Sequence, residues 1–515
     1  MAFLSFDSPL GNTDYLKEDL KARSIHGGTM NLFGQAFRFI LNLVGIAILA
    51  RLLTPEDFGL VAMVITVVGF MLLYKDLGLS KATIQTEDIK HHQVSTLFWV
   101  NVAFSFVIFL LCWAIASTVA RVYNEPRLTK ITIVMAISFI FGGLTGQFQA
   151  LMHRHMRFAT INIVESLSVM GGIIVGIFFA LRGYGYWSLV YKLLFEQFLL
   201  MFGFWLTCNW RPGKPVFSKE VRSLLQFGGN LTGANILYYL IGNTDKFILG
   251  AFSGAYQLGI YSKAYQFLAL PVQQINIPFS SVVISALSRL QNDKLTFRTY
   301  YRKSVQFMAD ISIPMVVFLW VASEDIVWVF LGPQWLDSVI IFRILGLAAL
   351  LVSIDVARGW VFVTLGQTAR MLRWGLLATP ITILGFLIGV HWGPVGVAGS
   401  LSITRSLLWL PGIIYCFKNT PLKFRDLANA LWRPVICSTI AAIISLFWIT
   451  SNNTMIVIWK LVSDFIIFVV CYIVAWIMLP GGIRHIKEII YLIKEQNIFD
   501  VKQLRTSKGN LLKGE

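Results

Sequence analysis

The chain has 515 residues, of which 56% are hydrophobic and 13% are charged, and its mean hydropathy is +0.70. Soluble proteins carry about 25% charged residues, so this composition excludes a soluble enzyme and predicts an all-α polytopic membrane protein. The formal net charge of +17 could indicate a nucleic-acid partner. No soluble module remains to carry a basic face, however, and we expect no nucleic-acid binding.

About fourteen apolar segments follow one another along the chain, each near the roughly 20 residues that a helix needs to cross the membrane. Residues 1–24 are polar and of mixed charge, so we predict a cytoplasmic tail and a retained first span rather than a signal peptide. The predicted spans are residues 25–50, 58–79, 94–119, 128–150, 158–181, 186–207, 223–252, 257–288, 304–323, 338–365, 371–391, 394–417, 431–450 and 454–479.

The spans form two lobes that repeat one another. Ile48-Leu49-Ala50 matches Ile248-Leu249-Gly250, and Phe58-Gly59-Leu60 matches Leu258-Gly259-Ile260, at a constant offset of 200 residues. Six spans per repeat give both lobes the same orientation around a central cavity, a common plan among transporters. The predicted parts are an N-lobe at 25–207, a cytoplasmic linker at 208–222, a C-lobe at 223–417, a connector with a helix hairpin (spans 13 and 14) at 418–479, and a cytoplasmic tail at 480–515.

Two further features concern the cytoplasmic side of the membrane. When the four residues near span ends (Lys75, Lys130, Arg373 and Arg433) are counted with the adjoining segments, 30 of the 43 lysines and arginines fall on one side of the spans, five on the other side and eight inside the spans. Because cytoplasmic loops carry the excess of these residues, both termini are predicted to be cytoplasmic. In the tail, isoleucines recur at helical spacing between basic residues, which indicates an amphipathic helix on the membrane surface, with a solvated tail as the alternative.

The cations inside the spans are the main functional signal, because a charge at mid-bilayer costs at least about 2.5 kcal/mol and must face protein or water. Four of them have an acid close by in the sequence and are predicted to be neutralised locally. These are Lys192 with Glu196, Arg358 with Asp355, Lys460 with Asp464, and Lys246 beside Asp245.

The other four cations have no such acid: Arg38, Lys263, Arg343 and Arg405. We predict that they line a cavity for an anionic ligand, since a guanidinium binds phosphate or carboxylate through paired hydrogen bonds. Removal of Arg38 is then expected to abolish transport without lowering the protein level. The alternatives are pairing with Glu165 or Asp310 on another helix and, for Lys263, snorkelling to the membrane surface.

Polar residues accompany these cations on the two equivalent spans 1 and 7. Asn31, Gln35 and Asn42 recur with Arg38 at three- to four-residue spacing, and Asn235 and Tyr238 lie on span 7. We predict that they contact sugar hydroxyls and acidic groups of a ligand, the alternative being helix packing.

Three acids inside spans are candidates for coupling transport to a proton or sodium gradient: Glu165, Asp245 and Asp310. No catalytic or metal site is predicted. His153 and His155 lie beside Arg154 and Arg157 without a nearby carboxylate, and the five cysteines are scattered without ligand-like spacing.

Several local strings resemble those of a known transporter family. They are Leu52-Leu53-Thr54-Pro55-Glu56-Asp57-Phe58-Gly59-Leu60, Asp76-Leu77-Gly78-Leu79, Leu258-Gly259-Ile260-Tyr261-Ser262-Lys263-Ala264-Tyr265 and Leu331-Gly332-Pro333-Gln334-Trp335. As a set, they resemble the Wzx-type polysaccharide flippases of the multidrug/oligosaccharidyl-lipid/polysaccharide superfamily, nearest the colanic-acid exporter branch.

The resemblance implies a transporter without covalent chemistry or a cofactor, in the bacterial inner membrane. It would move an undecaprenyl-pyrophosphate-linked oligosaccharide between leaflets by alternating access. Membrane lipids, a polysaccharide polymerase and the export machinery are the further partners implied. Family members commonly have twelve spans, so spans 13 and 14 are left without an assigned role.

Two other functions stay open at the level of sequence. A drug or cation antiporter of the same superfamily would need an acidic cavity, whereas the cations without a nearby acid point to an anionic ligand. A membrane polymerase or ligase of the same pathway would need a large loop on the exoplasmic side, and the predicted exoplasmic connections are short.

Overall fold

A computed structural model describes residues 20–72, 79–86, 89–216, 219–451, 457–480 and 482. Within these ranges only the backbone is described for residues 20–27, 29, 70–72, 219–241, 450 and 451. The described residues are almost entirely α-helical and contain no β-strand, which confirms the predicted all-α class.

The helices follow one another along the chain with short connections. They are α1 Leu20–Leu52, α2 Pro55–Leu72, α3 Leu79–Gln85, α4 His91–Val122, α5 Arg127–Arg154, α6 Phe158–Leu181, α7 Trp187–Thr207, α8 Lys219–Leu290, α9 Lys294–Val321, α10 Ser323–Phe330, α11 Ser338–Thr364, α12 Thr368–Gly389, α13 Gly393–Phe417, α14 Phe424–Ser451 and α15 Val457–Met478. The chain divides into two compact units, unit 1 over Met1–Gly259 and unit 2 over Ile260–Glu515.

Each of the fourteen predicted spans overlaps one of these helices, while residues 73–78 and 454–456 of the predicted spans lie outside the described residues. The short helices α3 and α10 were not predicted. Spans 7 and 8 both lie on α8, which is interrupted at Gly254, where φ is +82°. Eleven helical stretches of the described residues are long and apolar enough to cross a membrane, and one of them, Thr368–Phe417, contains both α12 and α13. The chain is therefore a multi-pass membrane protein, whereas the number fourteen and the orientation stay predictions. The predicted tail at 480–515 lies almost wholly outside the described residues.

The turn between α1 and α2 shows how the sequence fixes these helical hairpins. The Asp57 carboxylate accepts hydrogen bonds from the backbone N–H and the hydroxyl of Thr54 at 2.9 and 2.8 Å, and the Asp57 N–H donates to the Thr54 hydroxyl at 3.3 Å. This reciprocal cap satisfies backbone groups that a helix N-terminus leaves free. Pro55 suits the first helical position, where no N–H is needed.

The predicted repeat brings two equivalent glycines together in unit 1. A Cβ on Gly59 would overlap the carbonyl of Ala255, and a Cβ on Gly259 would overlap the carbonyl of Pro55. The backbones of α2 and of residues 255–259 of α8 therefore approach so closely that only glycine fits at either position.

The predicted linker packs against α4 as far as it is described. Trp210 is buried beside Phe98 and Phe148, the Gly213 N–H donates to the Ser95 hydroxyl at 2.9 Å, and the Trp99 indole donates to the Gly213 carbonyl at 2.8 Å. These contacts fix residues 209–216 on unit 1.

Candidate functional site

Arg38 lies at the centre of a polar cluster in unit 1, the Arg38 site. Its guanidinium forms an ion pair with Glu165 on α6 at 3.0 Å and donates to the Asn162 side-chain oxygen at 2.7 Å. The amide of Gln149 on α5 donates to the other oxygen of Glu165 at 3.2 Å. The side chains of Arg38 and Glu165 are only 17% and 23% exposed, so the charge of the cation is balanced where it is half-buried. Sequence alone left this interhelix pairing open as the structural alternative.

A glycine on α1 leaves room for a side chain of this cluster. A Cβ on Gly34 would overlap the side chain of Asn162, so the glycine provides the space for the amide that contacts Arg38. Asn162 also donates to the carbonyls of Phe158 and Met30, at 2.8 and 3.3 Å, which fixes the orientation of its oxygen.

The polar stripe predicted on α1 is present as a half-buried face. Asn31, Gln35 and Asn42 share the intermediate exposure of Arg38. Asn42 is engaged within its own helix, because its amide donates to the Arg38 carbonyl at 3.0 Å. The side chains of Asn235 and Tyr238, predicted to accompany this stripe, lie outside the described residues.

Two other predicted residues of α8, Asp245 and Lys263, have buried side chains. Asp245 is 5% exposed, and the neighbouring Lys246 donates to the Asn243 side chain at 3.1 Å. Lys263, in unit 2, is 9% exposed and donates to the Gln266 side chain at 2.9 Å, so its ammonium is buried rather than extended to the membrane surface.

Arg343 lies apart from the other cations of unit 2. It is 45% exposed and pairs with Glu324 at 3.4 Å, while its Nε donates to the Ser323 hydroxyl at 3.0 Å. Both partners belong to α10, so this arginine joins α11 to the short helix. It does not line either of the two cavities described below.

Arg358 and Asp355 form the local ion pair that their spacing predicted, at 2.6 Å. The guanidinium also lies over the ring of Trp374, 5.4 Å from its centroid, an attractive cation–π arrangement. A Cβ on Gly412 of α13 would overlap the Arg358 guanidinium, so this glycine provides the space that the arginine fills. Three helices thus fix one cationic side chain.

A cavity of about 380 Å³ opens beside this pair among α11, α12 and α13, the unit 2 cavity. Arg405 enters it from α13 and Thr382 from α12, and the indoles of Trp374 and Trp409 form part of its wall. Among the described residues, the Arg405 side chain makes no ion pair or hydrogen bond. With two arginines and one aspartate, the lining carries one surplus positive charge.

Arg405 also borders a second, smaller cavity of about 60 Å³ in unit 2. Its lining is mostly aliphatic, with Tyr265 and Gln273 of α8 as the polar members besides Arg405. The Arg405 guanidinium therefore lies between the unit 2 cavity, which is polar and aromatic, and the smaller cavity, which is mostly apolar.

One of the predicted local ion pairs is wrong. Lys460 does not pair with Asp464 as predicted; its ammonium lies 3.3 Å from Asp325 on α10, because a tertiary contact replaces the local one. Asp310 lies on α9 facing α15, where its backbone carbonyl accepts a hydrogen bond from the Tyr472 hydroxyl at 3.0 Å. The predicted pair Lys192–Glu196 is confirmed at 3.0 Å.

Sequence reasoning did not identify Arg358, Trp374 or Trp409 as members of the site. The Arg358–Asp355 spacing indicated a neutral structural pair, and it is one, but it also lines the cavity. A signal was present in the helical spacing between Arg405 and Trp409, which places both side chains on one face of α13.

A model of the polysaccharide biosynthesis protein family matches residues 48–340, more than half of the chain. The chain belongs to the polysaccharide biosynthesis protein family.

Two relatives named for polysaccharide biosynthesis match this chain over most of their length. The chain is 24% identical to the lipopolysaccharide biosynthesis protein WzxC of Escherichia coli (strain K12), covering 83% of this chain and 87% of the relative. It is 26% identical to the succinoglycan biosynthesis transport protein ExoT of Rhizobium meliloti (strain 1021), covering 72% and 74%. Together with the family, these names support the predicted class, a membrane transporter of polysaccharide biosynthesis rather than an enzyme.

Solved structures identify the fold. The lipid II flippase MurJ in an inward closed conformation superposes with a TM-score of 0.70 at 16% identity, covering 87% of this chain and 98% of that one. An inward-facing multidrug resistance MATE family transporter of the MOP superfamily gives 0.59 at 12% identity, covering 74% and 95%. The fold of this polysaccharide biosynthesis protein is therefore the one predicted from its motifs.

Proposed function

We propose that this polysaccharide biosynthesis protein is a flippase for an undecaprenyl-pyrophosphate-linked oligosaccharide in the bacterial inner membrane. The observation that carries the proposal is the unit 2 cavity, whose surplus positive charge is supplied by Arg405. The ligand has a doubly charged pyrophosphate joined to sugars, and both parts have a counterpart in the lining.

The charged part of the ligand is matched by Arg405. A guanidinium can bind two phosphate oxygens through parallel hydrogen bonds, and it keeps its charge at every physiological pH. Because Asp355 neutralises Arg358 at 2.6 Å, a ligand anion meets one unbalanced cation rather than two. That balance favours reversible binding, which a transporter needs in order to release its cargo.

The sugar part is matched by the two tryptophans. An indole offers an apolar face together with an N–H donor, a combination that suits the apolar face and hydroxyl rim of a sugar ring. The half-buried Thr382 adds a hydroxyl to the same wall.

The test uses export in a strain that lacks the chromosomal copy and carries plasmid-borne variants. Arg405→Ala is expected to lower export at least tenfold, about 1.4 kcal/mol of lost ligand interaction. Arg405→Lys should retain part of it, since charge remains without the paired hydrogen bonds. Lipid-linked oligosaccharide should accumulate in the membrane of the deletion strain.

Arg343→Ala is the matched control, because Arg343 lies in the same unit and outside both cavities. Equal loss of export in the two alanine variants, at equal protein level, would contradict an assignment to the cavity. A deletion strain that accumulates no lipid-linked sugar and changes only in drug sensitivity would favour the antiporter function instead.

Coupling to a proton or sodium gradient stays a prediction for Glu165, Asp245 and Asp310. Glu165 is engaged by Arg38 at 3.0 Å, so an ion that binds there must compete with the guanidinium.

A further inference from the structure

The carboxyl group of Asp464 is buried without a partner in α15. The residue is 0% exposed, and neither oxygen has a hydrogen-bond partner among the described residues. It lies seven residues after Val457, about 10 Å along the helix, and one turn before Phe468, which packs with Val321 and Ala441 in an apolar cluster. An ionised carboxylate is costly in such surroundings unless it is paired.

The nearest cation already has another partner. Lys460, one turn before Asp464, forms an ion pair with Asp325 of α10 at 3.3 Å, and Asp325 is itself only 8% exposed. One ammonium therefore faces two buried carboxyl groups. With both ionised the cluster would carry a net negative charge, and with one protonated it would be neutral.

We propose that the Asp325–Lys460–Asp464 cluster is a proton-binding site and that the proton is carried by Asp464. When the carboxyl gives its proton to water, the resulting carboxylate lies four residues from Lys460, at the helical spacing that favours a pair with the same ammonium. Lys460 then has two competing partners, Asp464 on its own helix and Asp325 on α10. Protonation of Asp464 therefore favours the ion pair between α15 and α10, and loss of the proton weakens it.

The other charged groups considered on the helices packed against α15 lie away from Asp464 along the helix axis or are paired elsewhere. On α10, Glu324 is exposed and pairs with Arg343. On α9, Asp310 is at the level of Tyr472, two turns beyond Asp464. On α14, Arg433 lies over the ring of Trp476 and donates to the Pro480 carbonyl, at the far end of α15. The titration of the cluster therefore depends on Asp325, Lys460 and Asp464.

This site is separate from the unit 2 cavity, and its test does not depend on the proposed transport function. Purified full-length protein in nanodiscs is examined by infrared difference spectroscopy between low and high pH, which records the C=O band of protonated carboxyl groups. Wild-type protein is expected to show a band at neutral pH that disappears at high pH and that Asp464→Asn lacks. Asp355→Asn is the matched control, because Asp355 is paired with Arg358, and it should retain the band.

Two further arms keep the assignment falsifiable. Lys460→Met removes the shared ammonium, so a second carboxyl should become protonated and the band should increase by about one group. Retention of the full band in Asp464→Asn, in protein whose far-ultraviolet circular dichroism matches wild type, would overturn the proposal. Replacing choline with sodium at constant pH and ionic strength should leave the band unchanged; its loss in sodium would show a sodium site and overturn the assignment to a proton.

Discussion

The Arg38 site of unit 1 and the unit 2 cavity use the same residue types, yet their charges balance differently. Each contains a half-buried arginine, an acid within 3.0 Å and a glycine that provides space for a side chain, Gly34 in one and Gly412 in the other. In unit 1 the acid neutralises the one arginine. In unit 2 a second arginine, Arg405, enters beside the neutral pair, and a surplus charge results.

The difference shows that the position of an intramembrane cation in the sequence does not by itself determine whether its charge is neutralised. Arg38 and Arg405 both have no acid at helical spacing in the sequence, and only the neighbouring helices distinguish them. The number of acids that tertiary packing brings to each arginine decides whether it stabilises the fold or remains available for a ligand.

The largest effect is expected from breaking the balance in unit 1. Glu165→Ala would leave the half-buried Arg38 without its counter-charge, at a cost of about 3–5 kcal/mol. Arg38→Ala should cost less, because a carboxyl can become neutral by protonation. The double variant Arg38→Ala/Glu165→Ala should be more stable than Glu165→Ala alone, and unfolding in mixed micelles would measure this coupling.

This expectation differs from the one based on sequence alone, in which Arg38→Ala abolishes transport at an unchanged protein level. The ion pair with Glu165 predicts a lower protein level that a second substitution at Glu165 partly restores. Additive effects of the two substitutions would show that Arg38 acts independently of Glu165.

An intermediate effect is expected from filling the space beside Arg358. Gly412→Ala would place a methyl group where the guanidinium lies, and such overpacking typically costs 1–3 kcal/mol. Displacement of Arg358 and Trp374 should also change the cavity wall and lower export.

Gly399→Ala offers a control on the same helix, since nothing lies within 4 Å of the added carbon. An alanine in a helix interior is favoured over glycine, so this variant should be as stable as the parent or slightly more so. Thermal unfolding of the two variants side by side would separate the local overlap from the general effect of the substitution, and equal melting temperatures would contradict the role of Gly412.

The smallest effect is expected at a cluster outside both sites. Arg127 contacts Glu56 at 2.5 Å and Glu125 at 2.8 Å, but its side chain is 43% exposed, so Arg127→Ala should cost only a few tenths of a kcal/mol. The hydrogen bond from Arg127 holds the pKa of Glu125 below its ordinary value of 4.5.

A lowered carboxyl pKa stabilises the folded state above the unfolded-state pKa, and this contribution is lost as the pH falls through the folded-state value. The difference in melting temperature between wild type and Arg127→Ala should therefore be present at neutral pH and be lost as the pH falls through the lowered folded-state pKa of Glu125. A difference that grows on acidification would contradict this account.

The sequence predicted the helices because hydropathy acts along the chain, and every predicted span overlaps a helix of the described residues. It also predicted the pairs Lys192–Glu196 and Arg358–Asp355, whose partners are one turn apart and meet in any helix. Contacts between distant segments were not predictable in this way. Arg38 meets Glu165 across 127 positions and Lys460 meets Asp325 across 135, and the spacing pattern contains no information on either.

The candidate site was predicted in part for the same reason. Arg405 was identified from its isolation in the sequence, whereas Trp374 and Trp409 belong to a wall that forms only when α12 and α13 pack together. Arg343 shows the converse, since a lone cation in an apolar segment proved to be an exposed contact to α10.

The paired glycines Gly59 and Gly259 have a consequence for how a duplicated chain can diverge. Each copy supplies the surface against which the other is packed, and the obstacle at each position is a main-chain carbonyl rather than a side chain. A larger residue in one copy cannot be compensated by a smaller residue in the other. A substitution at either glycine therefore requires a backbone to move, whichever copy of the predicted repeat it falls in.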